Sequence, residues 1–305
     1  MQLPPKVWFQ LERLKKLFRS SLGEPRQNYD TSHRMCPNCR ALIERGASVC
    51  PLCGEKLRSP RARSSSGSPD RILGVIPVPS SATSALVAVT IAVYGISWYM
   101  TSVAASGSPG PASALGGISG EVLFRLGAKT SRIFAGQWWR LVTAIFLHAN
   151  LIHIGFNLWC LFDLGPAVES LFSSAKFVVF YLVAGVVGYL LSLWWSPFGM
   201  SVGASGSILG LIGVLIGASF HHGHLGREYR GQLFRWVIYI FIFGLFFATD
   251  NAAHLGGLAS GALLGYVVPE GDEENRAGQN LWNTLAVLSV IIIAASFALM
   301  ALQLR

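Results

Sequence analysis

The sequence predicts an all-α polytopic membrane protein with a small cysteine-bearing module ahead of it. Three observations lead there. The 305 residues are 52% hydrophobic and only 13% charged, against roughly a quarter charged in a soluble domain. Seven apolar segments follow one another after residue 82, at about 83–105, 141–164, 177–195, 202–220, 234–249, 251–269 and 281–303. Four of the five cysteines form two Cys-x2-Cys pairs, all before the first of those segments.

The front end carries much of the charge. Residues 1–82 hold 14 Lys/Arg against 6 Asp/Glu, and the whole chain carries +9. With so many spans following, this excess reads as a membrane-surface or positive-inside signal, and no nucleic-acid partner is expected. Residues 1–30 form a basic amphipathic segment. Over 1–20, Val7, Leu11, Leu14 and Phe18 share one helical face, while Lys6, Arg13, Lys15, Lys16 and Arg19 fill much of the rest. Such a helix either lies on an anionic leaflet or packs on its own ribbon. No unbroken apolar run follows the charges, so a signal peptide is not expected.

Residues 31–58 contain Cys36-Pro37-Asn38-Cys39 and Cys50-Pro51-Leu52-Cys53-Gly54. Two thiolates three positions apart share one metal, and two such knuckles complete a tetrahedron around Zn2+. The module resembles a small zinc ribbon, with Cys36, Cys39, Cys50 and Cys53 as ligands of one structural ion. Free or redox-active cysteines are the competing reading. A unit this small cannot hold a core without its metal. Its expected role is to dock a cytoplasmic protein partner. Residues 59–82, rich in Ser, Pro, Arg and Gly, form a flexible linker.

Orientation follows from the loops. The basic N-terminus is expected in the cytoplasm, as is the 221–235 loop with Arg227, Arg230 and Arg235. Spans two, four and six then all begin at the outer face. The fifth and sixth segments are short, which a compact bundle or thinned bilayer tolerates. Gln137-Trp138-Trp139-Arg140 suits an interfacial, partly embedded loop. Glu169, after Gly165-Pro166, is expected to tie a loop structurally, and His221, His222 and His224 to sit in a polar loop without a metal.

Counting spans brings a set of polar residues to one depth. His148, His153 and Asn157 fall in the first half of span two, Ser205 at the start of span four and His254 at the start of span six. Ionisable and polar groups inside spans face the bundle interior and mark function. Gly206, Gly210, Gly213 and Gly217 in span four match Gly257, Gly261 and Gly265 in span six. Small residues at four-residue spacing allow two helix backbones to approach closely. A serine and a histidine so placed suit nucleophile and general base, with no cofactor for catalysis. The Ser205 N–H, Asn157 amide and His148 imidazole are candidate oxyanion donors. Asp250, one turn before His254, is expected to cap its helix rather than complete a triad.

Trp139-Arg140, His148-x4-His153-x3-Asn157, Gly203-Ala204-Ser205-Gly206 and Ala253-His254-x2-Gly257-x3-Gly261 together resemble the rhomboid intramembrane serine proteases. The resemblance covers about residues 83–270. It implies a six-helix rhomboid-like bundle over 83–270, with 271–305 adding a C-terminal seventh transmembrane helix. It further implies a Ser205–His254 dyad open to a water-filled cavity and acting on transmembrane protein substrates within the lipid bilayer. In a bacterium that bilayer is the inner membrane. His148 and Asn157 match oxyanion positions, His153 a supporting one, and Gly203 belongs to the serine motif. A pseudoprotease adaptor of the same fold is the alternative, although both dyad residues are present. A transporter or channel ranks lower, because the polar residues cluster at one side. The sequence departs from the family at Leu209, where many members carry an aromatic residue against which the base stacks. Either the base is less rigidly held or another aromatic substitutes.

Overall fold

The computed structural model describes residues 33–35, 42–44, 49–54, 71–72, 76–77, 81–104, 116–246, 249–271 and 275–304. The chain divides into two compact units, Met1–Ser68 and Pro69–Arg305.

In the first unit, β1 (His33–Met35) pairs antiparallel with β2 (Leu42–Glu44), His33 opposite Glu44. The amphipathic segment 1–30, Cys36 and Cys39 lie outside the described residues. The second knuckle is described. The Gly54 N–H donates to the Cys50 carbonyl at 2.9 Å, Gly54 takes φ 71°, and Cys50 is buried. A residue at positive φ closing so tight a turn favours glycine.

The second unit opens with a minimal hairpin inside the expected linker, β3 (Arg71–Ile72) against β4 (Ile76–Pro77). Its described α-helices are α1 (Ser81–Ala104), α2 (Gly120–Arg125), α3 (Arg140–Phe146), α4 (Leu151–Phe172), α5 (Ser174–Trp195), α6 (Ser205–Ala218), α7 (Gly223–Phe246), α8 (Asn251–Val267) and α9 (Arg276–Leu302). Among the described residues, five stretches are long and apolar enough to cross a membrane: α1, α4, α5, Ser205–His222 and α9. The other two, α7 and α8, are the segments marked as short in the sequence. At 1.5 Å per residue α8 is about 25 Å long, and α7 spends its first turns on Arg227, Glu228 and Arg230.

The second apolar segment departs from expectation. It is not one span from 141 but two helices with a break. Leu147 turns extended after α3, and Asn150, also extended, caps α4 by accepting the His153 N–H at 2.8 Å. His148 therefore lies on irregular backbone between helices, not in the first half of a span. Non-helical backbone at this depth needs protein around it, and His148 is fully buried. Glu169 also differs in setting. Gly165-Pro166 does not end the helix, and Glu169 lies inside α4. It still ties elements together. Its carboxylate accepts the Thr83 N–H at 2.8 Å, the Thr83 hydroxyl at 2.6 Å and the Ser174 hydroxyl at 2.5 Å, joining the starts of α1 and α5.

α6 is the centre of the bundle. Every residue from Gly206 to Ala218 is buried, as expected of a helix apolar on all sides. α5 covers one side, with Phe177, Phe180, Tyr181 and Ala184 buried. α9 closes the back, Phe297 edge-on to Phe146 at 5.7 Å and Trp282 edge-on to Phe180 at 5.9 Å. Large apolar side chains face outward, among them Ile96 and Tyr99 of α1, Ile152 and Trp159 of α4 and Ile291 of α9. An apolar exterior of this extent belongs against lipid. The polar face of α1 satisfies itself: Thr90, Ser97 and Thr101 hydroxyls donate to the carbonyls of Leu86, Val93 and Ser97.

α6 and α8 touch backbone to backbone. A Cβ at Gly257 would overlap the Gly206 carbonyl, one at Gly261 the Gly210 carbonyl and one at Gly265 the Val214 carbonyl. The constant offset shows that the two helices run parallel and in register. Gly261→Val should therefore cost about 1–3 kcal/mol or more through overpacking, read as a lower melting temperature in detergent. Gly95→Ala in α1, where a Cβ meets nothing, should leave melting unchanged or slightly raised. Equal melting for both variants would contradict the close contact.

Candidate active site

The in-register pairing of α6 with α8 brings their N-terminal ends together. Ser205 is the first residue of α6, and His254 lies in the first turn of α8. His254 Nε2 stands 2.8 Å from Ser205 Oγ. The contact fits a hydroxyl donating to an imidazole nitrogen, the ground-state geometry of a nucleophile with its general base. His254 is 4% exposed, and its Nδ1 is buried without a hydrogen-bond partner. Asp250 does not supply one. Its Oδ1 accepts the Ala253 N–H at 3.0 Å as the cap of α8, and its Oδ2 accepts from the Ser192 hydroxyl.

Gly203 positions the serine. It takes φ 129°, and a Cβ there would come within 2.8 Å of the His153 ring. Its N–H donates to the Ala144 carbonyl at 2.9 Å. Its own carbonyl accepts from the Tyr189 hydroxyl at 2.9 Å, and the same hydroxyl lies 3.2 Å from the Ala144 carbonyl. The segment before Ser205 is thus tied to the end of α3 and to α5.

The remaining candidates converge on the same end. His148 and His153 stack edge to face, centroids 5.0 Å apart. His148 Nδ1 lies 3.3 Å from the Phe146 carbonyl, so that nitrogen carries the proton, and Nε2 faces the Ala204 N–H at 3.5 Å. In this arrangement His148 Nε2 is an acceptor. It can serve as an oxyanion donor only after a tautomer change or protonation, a point the sequence does not reveal. Asn157 donates one amide hydrogen to the His153 carbonyl at 2.8 Å, and the second remains on the same nitrogen. His153 Nδ1 stands 3.5 Å from the Ala149 N–H.

Sequence reasoning misses several residues that hold this end. Lys129 is buried and donates Nζ to the carbonyls of Ser192, Ser196 and Gly199 at 3.2, 2.6 and 3.2 Å. An ammonium on the last carbonyls of α5 complements the negative end of that helix. Burial pushes its pKa down, and the Asp250 carboxylate draws it back up. Lys129 also pairs its backbone with Ser201, just before the serine motif. Arg140 spans Gln137 Oε1 and the carbonyls of Phe124 and Ala128, with its guanidinium over Phe124 and Trp139. Only Trp139-Arg140 left a signal in the sequence; Lys129, Tyr189 and Ser192 look unremarkable there. His221 and His222 bond Tyr266 O and Glu270, and the described residues hold no cluster of three or more His, Cys, Asp or Glu able to bind a metal.

The Rhomboid domain matches residues 135–271. The chain is 38% identical over 150 residues to the rhomboid protease GluP of Bacillus subtilis, covering 48% of this chain and 29% of that protein. It is 34% identical to the putative rhomboid protease YdcA of the same organism, over 43% of this chain and 68% of the relative. It is 30% identical to Rhomboid-like protease 3 of Toxoplasma gondii, over 60% of this chain and 72% of the relative. The chain belongs to the rhomboid family, and it is an integral multi-pass membrane protein. The match spans under a third of GluP's length.

Gly203 gives a direct test. Gly203→Ala faces both positive φ and the His153 ring, a strain of about 1–3 kcal/mol. It should slow labelling of Ser205 by a fluorophosphonate at least about tenfold while the chain still purifies as a folded membrane protein. Unchanged labelling would show that this backbone does not set the serine.

Proposed function

We propose that the chain is an intramembrane serine endopeptidase that hydrolyses peptide bonds in or near transmembrane segments of membrane proteins. The observation that carries this reading is the 2.8 Å approach of His254 Nε2 to Ser205 Oγ at the shared end of two parallel helices. Ser205 Oγ attacks the scissile carbonyl while His254 Nε2 takes its proton. The protonated imidazole then gives that proton to the leaving amine, leaving an acyl-enzyme. A water deprotonated by His254 attacks the acyl carbon, releases the carboxylic acid and restores the serine. The pair acts as a dyad. The Ser205 N–H at the positive end of α6 and the second Asn157 N–H are the donors poised for the oxyanion, with His148 joining if its Nε2 becomes protonated. The active end is oriented toward the outer face and the N-terminus toward the cytoplasm.

Ser205→Ala and His254→Ala should each lower cleavage of a single-span substrate in proteoliposomes by several orders of magnitude, because the two residues act as a unit. Asn157→Ala should cost about 100-fold, the weight of one oxyanion donor. A parent chain that binds spans but neither cleaves them nor reacts with a fluorophosphonate would instead be an adaptor.

The N-terminal module is proposed to hold one structural Zn2+ through Cys36, Cys39, Cys50 and Cys53. Of these, Cys50 and Cys53 are described, on a turn closed by Gly54 that suits a metal knuckle. Bound there, the ion would tie two knuckles into one fold, and its surface is the proposed site for a cytoplasmic protein partner. Elemental analysis of the purified full chain should find one zinc per chain, and the Cys50→Ser/Cys53→Ser double variant should lose it. Zinc-free protein after metal-replete expression would rule the site out.

A further inference from the structure

We propose that Phe241 of α7 is the residue that positions His254, in place of the aromatic that this chain lacks at Leu209. The inference rests on the protease reading above and assigns one further residue to it.

Nothing hydrogen-bonds the imidazole from behind. Nδ1 is buried and unpartnered. The carboxylate one turn before it, Asp250, has both oxygens engaged elsewhere, on the Ala253 N–H and the Ser192 hydroxyl. Ring orientation therefore falls to packing. Leu209 is buried in the core one turn beyond Ser205, but it offers no ring face or edge. Phe241 does. Its ring stands 6.0 Å from the imidazole, centroid to centroid, at 82°. Edge-to-face pairs at this separation have a preferred geometry that an aliphatic contact lacks.

The setting of Phe241 matters as much as its chemistry. Ser205 and His254 sit on α6 and α8, whose register is locked by glycine contacts. Phe241 comes from α7, the helix before α8, and packs partly buried against the core. Its neighbours Ile238, Tyr239 and Ile242 are exposed. Placement of the base in this chain therefore depends on a third helix outside the locked pair.

The test uses the full chain in proteoliposomes, with steady-state cleavage of a single-span substrate, fluorophosphonate labelling and thermal melting. Phe241→Leu retains an apolar side chain but removes the ring. It should lower kcat about tenfold, as a small misplacement of the base does. KM should stay within about twofold, and melting should fall only slightly, because leucine keeps most of the apolar contact of a half-buried ring. Phe241→Tyr should remain within about twofold of the parent. A purely space-filling role predicts a different pattern, with Leu tolerated or kcat lost only in step with a large fall in melting. Phe241→Leu at parental kcat, or Leu and Tyr variants impaired alike, would overturn the proposal while leaving the dyad intact. A parent chain that neither cleaves nor labels would remove the protease reading and this inference with it.

Discussion

The close parallel contact of α6 with α8 is the constraint on which the rest of the structure depends. Gly206, Gly210, Gly257, Gly261 and Gly265 remove the side chains that would hold two backbones apart. Within lipid there is little hydrophobic gain from helix association, so dispersion between closely packed backbones has to supply it. The constant pairing offset also acts as a ruler. It sets Ser205 and His254 side by side, and a slip of one turn would move them about 5.4 Å apart along the axis.

Around this contact, a small set of polar groups fastens the loops and helix ends. Glu169 joins α1, α4 and α5, Lys129 closes the end of α5, and Arg140 gathers the carbonyls before α3. Lys176 does the same at the opposite end of α5, donating to the carbonyls of Pro269 and Gly271 after α8. Each satisfies several backbone or hydroxyl groups in surroundings where water is scarce. Leaving such groups unpaired is costly, so one ionic side chain can fix several segments. Tyr189 applies the same logic with a neutral hydroxyl, holding the turn before the serine.

The site is held by two different means. Hydrogen bonds fix the serine side, through Gly203, Tyr189 and the Ala144 carbonyl. On the histidine side the imidazole meets Ser205 through Nε2, Nδ1 has no partner, Asp250 is occupied at the helix cap, and the Phe241 ring packs edge-to-face. His148 lies on the break between α3 and α4, with its Nε2 turned to the Ala204 N–H.

Much was legible in the sequence because membrane helices write themselves as apolar runs, and buried polar residues stand out against them. Ser205, His254, Asn157 and the glycine spacing could be read in that way. The break at Leu147–Asn150 could not, since the apolar run continues across it and only Asn150 acts as a stop. The inclusion of Pro166 and Glu169 within α4 was also hidden, because Gly-Pro reads as a turn until tertiary contacts hold the helix through it. Lys129, Tyr189 and Ser192 carry no local pattern at all. Composition, spacing and periodicity by themselves determined that this is a bundle of membrane helices with a serine and a histidine at one depth. Tertiary structure alone decided which nitrogen of His148 faces the serine loop, that Asp250 spends its carboxylate on the helix cap and Ser192, and that the Phe241 ring stands edge-to-face with His254. Those outcomes depend on contacts between residues far apart in the chain, and local sequence does not encode such contacts.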